Sequence, residues 1–207
     1  MSNRWEIVGE ERAYSRYLTV FDRKIRFSNR SQTDNITTRE LNYDVVGHPR
    51  SEFKFAVVLP FHSARPGLEA SVTLVHEYCQ GPNTMGYSAP AGCYEPHKHA
   101  NLEECARAEL SEEAFLRGGE WIRLISPHHP GIPEVKWCAN RFVPFLVIDP
   151  EEDPHPGERD PEEDIQIVKV TISELKNMLS GGTVDMMLPS ITTCYMALDV
   201  LKERGLL

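Results

Sequence analysis

Residues 90–116 read PAGCYEPHKHANLEECARAELSEEAFL, and this stretch carries the most informative pattern in the sequence. Within it, an apolar side chain recurs every four residues, a spacing that predicts a helix with one apolar face. These apolar residues are Leu102, Ala106, Leu110 and Ala114. Asn101 precedes them as the predicted N-cap, and Glu104 completes a capping-box pattern. The helix is therefore expected to begin directly after Asn101.

The same helix carries three acidic residues, Glu109, Glu112 and Glu113, at spacings i, i+3 and i+4. Side chains at these spacings are neighbours on a helix surface, so the three carboxylates repel one another unless a cation lies between them. Hard divalent cations prefer oxygen ligands of this kind. The pattern therefore indicates a metal site, and the alternative is an acidic helix face exposed to solvent.

Gly92 and the run AELSEEAFL at 108–116 resemble the Nudix box, in which a Gly and a spaced Glu precede Arg-Glu-apolar-x-Glu-Glu-x-Gly-apolar. The run VTLVHEY at 72–78 and the PAG turn at 90–92 resemble the ADP-ribose pyrophosphatase branch of that superfamily. The resemblance implies an α/β fold, a Nudix-type α/β/α sandwich with a mixed sheet and a small N-terminal antiparallel β-sheet. It also implies Mg2+, or Mn2+ in its place, held by the Ala91 carbonyl and by Glu109, Glu112 and Glu113.

The box is degenerate at three points. Ala108 occupies the Arg position, Phe115 occupies the second Gly position, and the first Glu has no counterpart near 98–100. That Arg normally holds the first of the three acids in place, so its loss implies weaker metal binding or slower turnover. Arg107 is turned ~100° round the helix and is a poor substitute. Two functions therefore stay open, a catalytic Nudix domain and a non-catalytic one that binds a nucleotide or a partner protein.

The reaction that the resemblance implies is hydrolysis of a nucleoside diphosphate linked to another moiety, by attack of water on the pyrophosphate. ADP-ribose or another ADP-sugar is the first expectation for this nucleotide-sugar substrate. The run HEYC at 76–79 stands where many relatives read Arg-Gln-Tyr-Arg, so another nucleoside diphosphate derivative stays open. By resemblance, Gly92, Pro130 and Gly131 lie on the substrate side of the fold.

Residues 149–164, DPEEDPHPGERDPEED, hold nine acids and four prolines among sixteen residues. A segment of this composition cannot form a core, so it predicts a mobile surface loop. In the family that this chain resembles, the general base comes from an acidic loop before a final strand, which is 165–170 here. The resemblance therefore implies Glu162 or Glu163 as the catalytic base, with Glu109 on the helix as the alternative.

The first fifty residues carry alternating segments that predict three antiparallel strands, at Trp5–Val8, Tyr17–Phe27 and Asn42–Val46. We expect an N-terminal β-sheet at 1–50 and a Nudix domain at 51–207. In the resembled pyrophosphatases such a sheet serves dimerisation and substrate binding, which implies a homodimer. It also implies that Tyr17 and Tyr43 stack on adenine with Asp44 beside them, although aromatic residues also pack within sheets.

Other β-branched and aromatic runs predict the strands of the main sheet, at 53–61, 70–78, 121–125, 141–148 and 165–170. The paired glycines at 118–119 predict the end of the acidic helix. Two further helices are expected at 173–179 and 190–203.

The composition limits the partners. A net charge of −9 and a pI near 5.4 argue against nucleic acid as a partner, because a polyanion is bound through surface basicity. No run approaches ~18 apolar residues and the first residues, MSNRWEIVGEER, lack the apolar core of a signal peptide, so a cytoplasmic protein without membrane contact is expected. The five cysteines are scattered without a Cys-x-x-Cys pair, which favours free thiols.

Overall fold

The computed structural model describes residues 4–30, 36–159 and 164–207. It divides the chain into two compact units, an N-terminal unit of residues 1–53 and 133–140 and a large unit of residues 54–132 and 141–207. The sequence predicts the first boundary at position 50, and in the structure it lies three residues later, at Phe53. The sequence pattern does not assign the segment 133–140 to the N-terminal unit.

The N-terminal unit contains a three-stranded antiparallel sheet, whose strands in chain and spatial order are β1 Trp5–Ser15, β2 Thr19–Arg30 and β3 Ile36–Gly47. Strands β1 and β2 run further toward their C-terminal ends than the sequence predicts, and β3 begins six residues earlier. Charged cross-strand pairs lie in the added parts, since Glu10 of β1 contacts Arg23, and Glu40 of β3 contacts Arg26 at 2.8 Å. Opposite charges on neighbouring strands support their pairing.

The segment 133–140 joins the N-terminal unit through hydrogen bonds to the end of β3 and the residue after it. Val46 N donates to Trp137 O at 3.0 Å. The Asn140 side chain accepts a hydrogen bond from His48 N at 2.9 Å, across 92 positions of sequence. These bonds explain why a segment so distant in sequence belongs to this unit.

The remaining strands that the structure describes are β4 Lys54–His62, β5 Ser71–Cys79, β6 Thr84–Ser88, β7 Ala91–Cys93, β8 Leu116–Arg117, β9 Glu120–Arg123, β10 Ile132–Pro133, β11 Arg141–Ile148, β12 Glu151–Glu152 and β13 Ile165–Thr171. The helices are α1 Leu102–Ala114, α2 Ile172–Gly181 and α3 Leu188–Glu203. One mixed sheet has the order β10-β11-β4-β5-β13, with β6 paired to β5, β7 to β4 and β9 to β11. Strands β4 and β11 pair in parallel, and β8 pairs separately with β12.

The mixed sheet is covered on both faces, so the predicted α/β/α sandwich is confirmed. Helix α1 packs on one face, against Ala56 and Val58 of β4. Helices α2 and α3 pack on the other, against Val57 and Leu59. Successive residues of β4 thus point into opposite layers, and burial of both explains its unbroken apolar run.

In the part of the chain that the structure describes, no helix is long and apolar enough to span a membrane. The cytoplasmic location stays a prediction.

Helix α1 begins where the sequence predicts and ends earlier. The Asn101 side chain accepts two backbone N–H bonds of the first turn, at 2.9 and 3.0 Å, which confirms it as the N-cap. The prediction that the glycines at 118–119 end the helix is wrong. Phe115 ends it in the left-handed conformation, at φ 56°, where its N–H reaches the carbonyls of Leu110 and Ser111.

The acidic segment is held along α1 over the residues that precede position 160. Its strand β12 pairs with β8, and Asp153 N donates to Phe115 O at 2.9 Å. Further on, Gly157 N donates to Ser111 Oγ at 3.0 Å. The segment predicted as a mobile surface loop thus has specific contacts within residues 149–159. Its polar backbone groups find partners on α1 even though the segment buries little apolar surface.

Candidate functional site

Glu113 is the buried member of the three helix acids, with 4% of its surface exposed. Its Oε2 accepts a hydrogen bond from Ala91 N at 2.8 Å. Ala91 begins β7, which pairs with β4 opposite Val57. A buried carboxylate needs such a donor, because removal from water otherwise disfavours its charged form. This contact fixes Glu113 against the turn at 90–92.

Glu109 lies beside the same turn, at Gly92. A Cβ atom at position 92 would lie 1.7 Å from Glu109 Oε1, so only glycine leaves room for this carboxylate. The Cys105 thiol contacts Gly92 O at 3.5 Å, and burial raises the pKa of that thiol to about 12. A thiol that stays protonated is a poor nucleophile, so Cys105 is a packing residue of the site.

Glu112 lies against the acidic segment instead. A Cβ atom at Gly157 would lie 2.4 Å from Glu112 Cγ and 2.9 Å from its Oε1. The structure thus brings Glu109 and Glu113 together at the turn and leaves Glu112 beside residue 157. Among the residues that the structure describes, no three His, Cys, Asp or Glu side chains form a group that could hold a metal ion.

The oxygen donors at the turn still suit a hard divalent cation. Glu109 and Glu113 supply two carboxylates, and the Ala91 carbonyl would add a main-chain oxygen. Mg2+ is usually held by one or two carboxylates, with water in its remaining positions. The residues present therefore fit the ion, and the metal site at Ala91, Glu109, Glu112 and Glu113 stays a prediction.

Arg107 is the arginine of α1, and it faces away from the two acids at the turn. Its Nη2 donates to Glu103 Oε1 at 2.7 Å, one helical turn earlier. Its guanidinium carbon lies 4.2 Å from the centroid of the Trp121 ring. Both contacts agree with the expectation that Arg107 is a poor substitute for the Arg missing at Ala108.

The predicted bases, Glu162 and Glu163, lie outside the residues that the structure describes. The strand expected after them is present as β13, whose Ile165 pairs with Glu77 of β5. Glu77 accepts a hydrogen bond from Ser88 Oγ, and Ser88 ends the strand that leads into the turn at 90–92. Sequence reasoning did not single out this additional carboxylate, because nothing in the local pattern distinguishes it from other strand residues.

The predicted adenine-binding residues lie in the N-terminal unit and are exposed. Tyr17 is 73% exposed, and its ring meets His48 edge-on with centroids 4.7 Å apart. Tyr43 is 40% exposed and meets Phe27 edge-on at 6.4 Å. Along the chain, His48, which Tyr17 contacts, lies five residues after Tyr43. Asp44 is exposed beside Tyr43 on β3.

The turn at Pro130 and Gly131 has clear structural roles. Gly131 has φ 108°, a conformation that favours glycine, and a Cβ atom there would lie 2.9 Å from Arg141 Cβ. Its carbonyl accepts a hydrogen bond from Arg141 Nη1 at 2.9 Å, and its N–H donates to His129 Nδ1 at 3.2 Å. Pro130 is exposed. Substrate binding by Gly92, Pro130 and Gly131 stays a prediction.

A cleft of about 980 Å³ lies beside the C-terminal end of α1, and none of the sequence-predicted substrate residues lines it. At the end of β4, His62 lines this cleft, with its Nε2 at 2.9 Å from Thr73 Oγ1. Burial, followed by the charge of Lys169, lowers the pKa of His62 to about 4. The imidazole is therefore neutral at pH 7. The volume lies within the range of small-molecule sites.

Arg159 is a further residue that sequence reasoning missed. Its guanidinium donates hydrogen bonds to the main-chain carbonyls of Glu112, Glu113 and Ile165. The sequence does hold one signal, because Arg159 is the single Arg or Lys among the sixteen residues of the acidic segment. A lone cation within so many acids is a candidate for a specific contact.

No protein-family model matches the sequence, and no curated protein matches it. Among solved structures, a crystal structure of an ADP compounds hydrolase is similar to this chain, with a TM-score of 0.65. The sequence identity is 16%, and the alignment covers 99% of this chain and 98% of the other. The likeness shows the fold, and the chain has the Nudix-like fold that the sequence resemblance implies.

Proposed function

We propose that the protein is a Nudix-type hydrolase that cleaves a nucleoside diphosphate linked to another moiety. The observation that carries this proposal is the meeting of Glu109 and Glu113 at the main chain of Ala91 and Gly92. ADP-ribose or another ADP-sugar is the first candidate substrate. The sequence resemblance supports this choice, as does the ADP compounds hydrolase that shares the fold.

The proposal includes Mg2+, or Mn2+ in its place. Glu109, Glu113 and the Ala91 carbonyl would hold the ion, with Glu112 as a further ligand. When bound there, the ion supplies positive charge that offsets the phosphates of the substrate. The hydrogen bond from Ala91 N keeps the Glu113 carboxylate in place before any ligand arrives, which reduces the reorganisation that binding requires.

In the proposed reaction, a water oxygen attacks one phosphorus of the pyrophosphate. A new P–O bond forms as the anhydride P–O bond on the opposite side breaks. The chain must then accept the proton that the water loses. Glu162 and Glu163 are the proposed acceptors because they precede β13 in sequence, and Glu109 is the alternative within the described residues. Loss of the true base is expected to lower kcat by ~10²–10⁴-fold.

We also propose a homodimer whose N-terminal units bind the adenosine part of the substrate. Tyr17 and Tyr43 present exposed aromatic rings, and Asp44 offers a carboxylate to hydroxyl or amino groups. In this proposal the adenosine site combines residues of two protomers.

The alternative function is a non-catalytic Nudix domain that binds a nucleotide or a partner protein. Two observations favour it. Ala108 offers the acids no support from within α1, and Arg107 is engaged with Glu103. Phe115 occupies the second Gly position of the Nudix box, and it holds a left-handed conformation that usually belongs to glycine. The two functions differ in turnover, so an activity measurement separates them.

A panel of nucleoside diphosphate sugars with Mg2+ or Mn2+ tests the proposal, with the products separated by ion-exchange chromatography. The best substrate should give a nucleoside monophosphate and a sugar phosphate. Glu113→Gln keeps an acceptor for Ala91 N but loses the charge, and we expect it to lower kcat by at least ~10²-fold.

The matched control is Glu103→Gln, which changes an exposed acid of the same helix and should keep wild-type turnover. Nucleotide binding without turnover across the whole panel would favour the non-catalytic alternative. Equal kcat values for wild type and Glu113→Gln would remove the helix acids from the reaction.

A further inference from the structure

Arg159 joins two elements that are far apart in sequence. Its Nε donates to Glu112 O at 3.0 Å, and its Nη2 donates to Glu113 O at 2.7 Å. Its Nη1 donates to Ile165 O at 3.1 Å. One guanidinium therefore ties the last turn of α1, which carries two of the helix acids, to the first residue of β13.

The end of α1 needs a cation from outside the helix. The last carbonyls of an α-helix have no partners within it, and the negative end of the helix dipole favours positive charge. The last turn of α1 contains no basic residue of its own. Arginine suits the position because its planar fork presents several N–H donors in fixed directions.

Phe115 provides a platform for this cation. Its φ of 56° is uncommon for a residue other than glycine. The guanidinium carbon of Arg159 lies 4.3 Å from the centroid of the Phe115 ring, which is within the range of a cation–π interaction. A glycine at this position would accept the backbone conformation more easily but would offer no ring to Arg159.

The chain that leads to Arg159 is seated on the same helix. Ser111 Oγ donates to Asp153 Oδ2 at 2.8 Å and accepts from Gly157 N at 3.0 Å. The missing side chain of Gly157 leaves room for Glu112. Arg159 thus reaches the helix end through a series of specific contacts, which distinguishes it from an arginine that rests on a surface by chance.

We propose that Arg159 is a positioning residue for the helix acids, and this inference rests on the proposed hydrolase function. By holding the peptide groups of Glu112 and Glu113, it fixes the helical turn from which their side chains extend. The approach of Glu113 to Ala91 depends on that turn. Arg159 acts through the backbone, and it provides from the acidic segment the support that Ala108 cannot provide from within the helix.

Arg159→Ala tests this inference in kinetic and binding assays performed well below the unfolding temperature. We expect kcat to fall by at least ~10-fold with KM within about twofold, and Mg2+ affinity in calorimetry to weaken by at least ~10-fold, as for other groups that orient metal ligands. Arg107→Ala is the matched control, because Arg107 also lies over an aromatic ring beside α1. It should leave all three values within about twofold of wild type.

Arg159→Lys keeps the charge, but the lysine ammonium group lacks the planar arrangement of N–H donors that reaches all three carbonyls. Its kcat should lie between those of wild type and Arg159→Ala, and it carries the test if the alanine variant does not fold. A purely structural cap would lower the unfolding temperature alone. Wild-type kcat and metal affinity in a folded Arg159 variant would therefore overturn the positioning role.

A metal-free measurement separates this inference from the proposed function. NMR of the protein with 13C-labelled glutamate carboxyl groups, without metal or substrate, should show a displaced Glu113 signal in Arg159→Ala and an unchanged one in Arg107→Ala. A displaced signal supports the positioning role whether or not wild type hydrolyses any substrate in the panel. Failure to hydrolyse the panel would overturn only the proposed function. An unmoved signal overturns the positioning role even in an active hydrolase.

Discussion

The two sheets of this protein differ in how far their apolar side chains are buried. In the mixed sheet of the large unit, Val57 and Leu59 of β4 have no exposed surface. In the N-terminal sheet, Trp5 and Ile7 of β1 remain 56% and 57% exposed. That sheet buries Phe21 and Ile25 of β2 and carries cross-strand ion pairs at its surface, such as those of Arg26.

The two sheets therefore differ in how much apolar surface each removes from water within one chain. Burial between two helical layers gives the mixed sheet a large favourable free energy, because both faces are removed from water. Small sheets without such cover are marginal by themselves. The exposed apolar residues of the N-terminal sheet are therefore the expected place for a second protomer to bind.

The largest expected effect is a loss in the free energy of unfolding when a leucine is replaced by alanine, a substitution that can be made in both sheets. Leu59→Ala should lower the free energy of unfolding by ~2–5 kcal/mol, because it leaves a cavity between two packed layers. Leu41→Ala in β3 removes a side chain that is 40% exposed, so its cost should stay below ~1 kcal/mol. Denaturant unfolding of both variants measures the two costs. Equal costs would show that the two sheets are packed alike.

The second prediction concerns the oligomeric state. Light scattering at micromolar concentration should report about twice 23.6 kDa, because dimerisation would cover the exposed apolar residues of β1. Ile7→Lys should shift the protein to the monomer. Ile167→Lys changes an exposed isoleucine of the large unit and should leave the dimer intact. A wild type that is monomeric over the accessible concentrations would refute the dimer.

The third prediction uses the pH dependence of stability. Burial holds the pKa of His62 at about 4 in the folded state, against the ordinary 6.5, so only the unfolded chain takes up this proton as the pH falls below 6.5. Stability should therefore be lost between about pH 6.5 and 4. After allowance for partial solvent exposure, the loss that His62 causes is ~1–2 kcal/mol.

His62→Gln can keep a hydrogen bond to Thr73 and should flatten this part of the stability curve. His48 of the N-terminal unit offers the matched variant, His48→Gln. Burial also lowers the pKa of His48, but the charge of Glu134 opposes the effect of burial, so a smaller change is expected. An unchanged slope in His62→Gln would contradict the burial of a neutral imidazole at the end of β4.

The smallest effect is expected for the surface ion pairs. Arg26→Ala removes the contacts with Glu6 and Glu40 and should lower the unfolding temperature by ~1–3 °C at low salt. In 1 M NaCl the Debye length is ~3 Å, so wild type and variant should then unfold at nearly the same temperature. Calorimetry at both salt concentrations checks this. A loss that persists at high salt would mean that Arg26 stabilises the sheet by packing.

Much of the large unit could be predicted from the sequence because its signals are local. The N-cap at Asn101 and the four-residue apolar spacing depend on neighbours within one helical turn. The same periodicity puts Glu109 and Glu113 on one side of α1, one turn apart. The apolar runs that became β4 and β11 indicated a sheet buried on both faces. These features supported the prediction of the α/β/α sandwich and the placement of two of the three acids on one side of α1.

Tertiary structure alone decided how distant segments meet. Nothing in the pattern of 133–140 indicates that Asn140 bonds to His48, 92 positions away. Likewise, Gly157 lies 46 positions from Ser111, and a composition typical of a mobile loop concealed its contacts with α1. Such contacts form between single polar groups brought together by the fold, and they leave no periodicity in the sequence. The sequence thus determined the helix and its acids, while the fold determined that Arg159 supports them.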